Sequence, residues 1–208
     1  MLPQTIPIFP LPNVVLFPNV FLPLHIFEPR YLEMVDDALH GDRILGMVLL
    51  RPGWEGRYNG RPPIYRIGCA GVITHSERLA DGCFNIVLRG MEKFEVTGED
   101  DARPYRIAYV DSVREPGAET FREEMMIARR RLEALLVPQP AGRPESQVPT
   151  SMPDEELINA LAQYMEFDPV EKQALLEREG PLERCRSLIE LLEMKVLVAR
   201  HPWDKVVN

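Results

Sequence analysis

Few of the residues that could do chemistry stand at spacings that chemistry uses. Cys69, Cys83 and Cys185 form no CxxC pair, and no set of Cys and His has the spacing of zinc ligands. The chain lacks a GxxxxGK[ST] loop for nucleotide phosphates, a GxSxG nucleophile elbow and an HExxH helix. His25 lies in an apolar extended stretch and His75 near a predicted hairpin, each without a sequence partner, so both read as structural histidines. Cys69, between Gly68 and Ala70 in a predicted strand, reads as a buried inert thiol, and Cys185 as part of a helix core. Arg129, Arg130 and Arg131 point in different directions on a helix that also carries Glu123, Glu124 and Glu133. They predict a solvated, salt-bridged face rather than a phosphate site. Glu28 and Arg30 predict a polar link beside a short helix. These residues imply no catalytic centre, no metal and no cofactor, and a protein that is not an enzyme.

Binding chemistry has one better candidate. Residues 51–63, RPGWEGRYNGRPP, hold three glycines and three prolines and predict an irregular exposed loop. Trp54, Arg57 and Tyr58 on it belong to residue types that dominate binding hot spots, and they are the predicted binding residues. The competing structural reading is that Trp54 folds back onto the strands as a plug.

The elements that would position these residues begin with Ile6 to Tyr31, an apolar stretch interrupted by prolines 7, 10, 12, 18, 23 and 29. Proline lacks the amide donor of a helix interior or a central strand, so the stretch predicts short extended pieces, Val14–Phe17 and Val20–Leu24, with bends at Pro12-Asn13 and Pro18-Asn19. Pro29, with Leu32, Val35 and Leu39 at helical spacing, opens a helix over 29–40. Strands are expected at 43–50, 65–74, 84–88, 93–96 and 105–113, with a tight turn at Asp81-Gly82 and a bulge at Gly68 and Gly71. From Glu119 the period becomes helical, through Phe121, Met125, Ala128, Leu132 and Leu135. Residues 138–153 hold five prolines and predict a loop. Three further helices follow, opened by Ser151-x-x-Asp154, by Asp168-Pro169-x-Glu171 and by Pro181. The expectation is therefore an α+β chain, with a β domain over 1–117 and a helical domain over 118–208.

The 208 residues carry 24 basic and 32 acidic side chains, a formal charge of -8, which disfavours general binding to nucleic acid or anionic membrane. An odd number of cysteines without metal spacing predicts reduced thiols in a cytoplasmic protein. No basic leader with an uninterrupted apolar core opens the chain, so no signal peptide is expected. Residues 6–27 are long enough to span a bilayer, but their five prolines, Asn13, Asn19 and His25 argue against it.

Two stretches resemble the N-terminal, substrate-binding domain of Lon proteases. The first matches a PL-x-x-VV-x-x-P pattern through Pro10, Leu11, Val14, Val15, Pro18, Pro23, Leu24, Ile26 and Arg30. The second matches that domain's Asp-Gly hairpin through Gly68, Ile73, Asp81, Gly82, Ile86, Gly90, Lys93 and Phe94, and the terminal helix is similar as well. The resemblance implies a PUA-like β pseudo-barrel followed by a helical bundle, without the AAA+ ATPase and peptidase that follow in Lon. It implies a non-catalytic module for protein or unfolded polypeptide, or an adaptor, and leaves oligomerisation open. An RNA-binding module of PUA-like type is the alternative, and an unrecognised hydrolase ranks last.

Overall fold

A computed structural model describes residues 2–57, 60–136 and 152–200. Among the described residues, six strands and five α-helices form two compact units, one within residues 1–114 and 159–177 and one within residues 115–158 and 178–208. The expected division at 117/118 differs from this, because residues 159–177 cluster with the strands.

In the first unit the strands are β1 (Thr5–Leu11), β2 (Phe21–Ile26), β3 (Ile44–Leu49), β4 (Ile67–Arg78), β5 (Phe84–Asp100) and β6 (Arg106–Val113). They lie in the order β2-β5-β4-β3-β1-β6, and a further β5–β6 pairing closes five of them into a ring that leaves β2 on its outside. The closure rests on the length of β5, which the sequence reading divided in two. Its first part pairs with β2, from Phe21↔Arg89 to Ile26↔Phe84, and its later part with β6, from Lys93↔Val113 to Asp100↔Ile107. A bulge between Cys69 and Gly71 coils β4 where Gly68 and Gly71 predicted it.

β1 corrects the sequence reading, which expected the first strand at Val14–Phe17. Its prolines are tolerated because each half of β1 has one partner: Thr5–Ile8 pair with β6 and Ile8–Leu11 with β3. The amides of Pro7 and Pro10 can therefore face an unpaired side. Val15, Leu16 and Phe17 are buried outside any strand. Side chains take the place of a ladder there: Phe17 N–H donates to Gln163 Oε1 at 3.2 Å, and Asn159 Nδ2 donates to Pro18 C=O at 3.0 Å. Lys93 Nζ on Leu176 C=O (2.8 Å) and Gln173 Nε2 on Ile67 C=O (2.9 Å) bind the same helical segment to the strands. These bonds are the physical reason that 159–177 leaves the helical unit.

The ring interior is filled by Ile6, Ile8, Val48, Leu50, Ile64, Ala70, Phe94, Val96, Ala108 and Val110. Helix α1 (Pro29–His40) has its predicted bounds and buries Tyr31, Met34, Val35 and Ala38. Gly41 caps its end with φ -112° and its N–H on Ala38 C=O at 3.1 Å, and Arg43 follows at φ 61°. Of the later helices, α4 (Pro169–Leu176) also lies in this unit, opened by the predicted Asp168/Glu171 capping box.

In the second unit, α2 (Arg122–Leu136) buries Met125, Ala128 and Leu132 and packs on α5 (Gly180–Arg200). Arg184 is fully buried on α5 and donates to Glu115 Oε1 at 2.6 Å, which also accepts the Gly180 N–H. Helix α3 (Asp154–Tyr164) begins in this unit. The proline-rich loop predicted at 138–153 lies outside the described residues except for 152 and 153.

Candidate functional site

β2 is the strand with an open side, since it pairs with β5 alone among the described strands. Gly90 N–H donates to Val20 C=O at 2.9 Å. In an antiparallel ladder the backbone groups alternate from there, so Leu22, Leu24 and Ile26 face β5 while Phe21, Pro23 and His25 turn outward. Two observations agree with that register. Pro23, with no N–H, occupies an outward position, and the outward C=O of Phe21 accepts the Tyr164 hydroxyl at 2.8 Å.

Side chains share this period, which puts Phe21, Pro23 and His25 on one solvent face, with Phe27 just beyond. Phe21 is 49% and Phe27 63% exposed, and Tyr164 beside them is 64% exposed. The His25 and Phe27 rings stack with centroids 6.1 Å apart, and His25 Nδ1 lies 2.9 Å from Asn85 Oδ1. His25 is thus partnered, as a structural histidine should be, but it stands on an open surface. The arrangement offers main-chain groups (the C=O of Pro23, the N–H and C=O of His25) beside an aromatic strip. Main-chain groups of this kind are those to which an extended chain can add.

The residues singled out from the sequence fare differently. Trp54 is half-buried and packs against the ring interior, where the plug reading put it. Arg57 ends a short 3-10 turn, and Tyr58 lies outside the described residues. Arg129 departs from the solvated face expected of it: it is largely buried, pairing with Glu133 at 2.8 Å and with Asp154. Arg131 pairs with Glu193 at 2.6 Å. Arg30 donates to Glu28 through Nε (3.1 Å) and Nη2 (2.9 Å), the expected link. Sequence reasoning missed Phe21, Phe27 and Tyr164, although Pro23 inside a strand was a signal for an edge.

The family model for the ATP-dependent protease La (LON) substrate-binding domain matches residues 5–194. The chain belongs to this family. Relatives of this LON substrate-binding domain include a Lon protease of Dictyoglomus thermophilum, 29% identical over 228 residues covering 100% of the chain and 27% of the relative. Lon protease 2 of Myxococcus xanthus is 29% identical over 202 residues, 93% of the chain and 24% of the relative. The chain thus spans about a quarter of the length of these curated relatives. Two solved structures share its fold. A Lon N-terminal domain protein from Xanthomonas campestris has a TM-score of 0.60 at 21% identity, covering 89% of this chain and 97% of that one. The N-terminal domain of a Mycobacterium avium complex Lon protease has a TM-score of 0.63 at 17% identity, covering 91% and 98%. The α+β fold with its closed ring of strands is therefore the fold of Lon N-terminal domains.

Among the described residues of this LON substrate-binding domain, no cluster of His, Cys, Asp and Glu could hold a metal ion, and no helix is long and apolar enough to cross a membrane. Burial pushes the Cys185 thiol up to about 12, which leaves it protonated and unreactive near neutral pH.

Proposed function

We propose that the chain is a non-catalytic recognition module that holds extended, apolar polypeptide along the open edge and solvent face of β2. The observation that carries this reading is the outward strip of Phe21, Pro23, His25 and Phe27 on a strand with no second strand partner among the described residues. Backbone groups at such an edge give affinity without strict sequence demand, and exposed aromatics add apolar contact. Family membership supports the same reading, since the matched domain is named for substrate binding. Trp54, Arg57 and Tyr58 keep a supporting part, Trp54 holding its loop against the ring interior. Work as an adaptor for a separate ATPase belongs to this proposal, as a module that holds a chain must pass it on. The RNA-binding alternative gains nothing from the arginine run, because Arg129 and Arg131 are engaged by Glu133, Asp154 and Glu193.

Fluorescence anisotropy of fluorescein-labelled, reduced and carboxymethylated α-lactalbumin tests the proposal. Saturable binding without cleavage is expected. The double variant Phe21→Ser/Phe27→Ser should bind at least about tenfold more weakly, given roughly 1.5–3 kcal/mol for burying each aromatic ring in full. Its thermal midpoint should stay close to wild type, because both rings are exposed. Absence of binding, or equal binding by the variant, would refute the reading.

A further inference from the structure

The start of α1 borders a cleft of about 250 Å³ whose charged walls are all of one sign. Arg30, Tyr31, Arg61, Arg103, Tyr105 and Arg106 line it, and among the described residues no carboxylate does. The acids that hold these arginines lie outside the lining. Each of the three Arg106 nitrogens makes a bond: Nε (2.7 Å) and Nη2 (2.6 Å) on Glu99, and Nη1 on Pro62 C=O at 2.8 Å. Arg61 is tied through Nη1 to Glu99 and Asp101 and through Nη2 to Asp100 C=O. Arg30 is tied to Glu28.

Arg103 differs. It reaches Asp37 (3.3 Å) and Glu33 (3.8 Å) through Nη1 alone, its side chain is 50% exposed, and its Nε and Nη2 have no partner among the described residues. A guanidinium fixed at one corner with a two-nitrogen edge to spare matches the bidentate geometry of a carboxylate. The neighbouring arginines, Arg61 and Arg106 sharing Glu99 and Arg30 held by Glu28, are fixed in place beside such a guest. With a chain charge of -8, the cleft cannot rely on long-range attraction and must discriminate at contact.

Chain continuity says what would carry the carboxylate. Phe27 ends the exposed strip of β2, and Arg30, three residues on, lines the cleft, so the two backbones are at most about 11 Å apart. The geometry points to a carboxylate pocket for the bound polypeptide. It takes an Asp or Glu side chain, or a free C-terminus, about three to four residues beyond the apolar segment seated on β2. This rests on the polypeptide-binding reading above, and it adds a specificity that an edge strand by itself lacks.

Three fluorescein-labelled synthetic peptides sharing one apolar, extended segment test it against the intact chain by anisotropy. One carries Glu beyond the segment and a C-terminal amide, one Gln and an amide, and one Gln and a free carboxylate. Either carboxylate peptide should bind at least about fivefold more tightly than the neutral one, and the pair of results tells side chain from terminus. Arg103→Gln should bring all three to within about twofold while leaving the neutral peptide's affinity and the thermal midpoint unchanged. Equal binding of the three peptides by the wild-type chain, or a preference that survives Arg103→Gln, would overturn the pocket and leave the β2 reading standing. Binding of none of them would overturn both.

Discussion

Tyr105 gives this fold a pH dependence of its own. Its hydroxyl donates to Asp37 at 2.7 Å from a residue only 5% exposed. Burial first, and then that bond, push the phenol from its ordinary 10.0 up to about 12. A folded value above the unfolded one favours the protonated form, so this contribution is intact below pH 10 and is lost as pH rises through about 12. Tyr105→Phe should therefore cost about 1 kcal/mol in urea unfolding near neutral pH, and the gap to wild type should close as pH rises from 10 towards 12. A gap that stays constant across that window would show that the phenol does not titrate with unfolding. Residues named through the family pattern have a different part. An ideal Cβ at Gly90 would sit 2.0 Å from Phe17 O, and one at Gly68 2.5 Å from Met47 O and 2.6 Å from the Phe94 ring. Those two glycines make the fold and are no part of a binding surface.

Among the elements, β2 carries the most consequence, and Pro23 controls how its edge behaves. The missing N–H leaves a gap in the row of donors that an unpaired strand otherwise presents to another chain. Pro23→Val should restore that donor and shift sedimentation to larger species, in a concentration-dependent way, relative to wild type; sedimentation identical to wild type would count against the assigned register. Legibility in the sequence followed how local each element's cause is. The bounds of α1 were readable because Pro29 and the apolar period are local, and the capping box of α4 likewise. β1 was not readable, because its prolines became acceptable only through partners that change halfway along it. Nor was the continuity of β5, whose two parts serve different neighbours. The helical segment 159–177 joins the strands through Asn159, Gln163 and Gln173, polar residues that no periodicity marks as partners of distant backbone. Of the candidate site, residue type drew the eye to Trp54, which packs inward, and passed over Phe21 and Phe27, whose apolar character in a strand reads as core until the edge is known.

For the molecule as a whole, the ring of strands packs around the buried Phe94, and β2 outside the ring has one edge with no strand partner among the described residues. Within the helical unit the buried Arg184 pairs with Glu115, and Arg129 and Arg131 of α2 engage Glu133 and Glu193. The proposal is that a chain so built, with a charge of -8, holds polypeptide rather than phosphate. Hydrogen exchange read residue by residue tests that claim most directly, with and without saturating unfolded α-lactalbumin. The outward amides of Phe21 and His25 should exchange more slowly in the complex, as a new strand covers them. Unchanged exchange across residues 21–27 while the polypeptide is bound, or protection confined to α2 and α5, would contradict it.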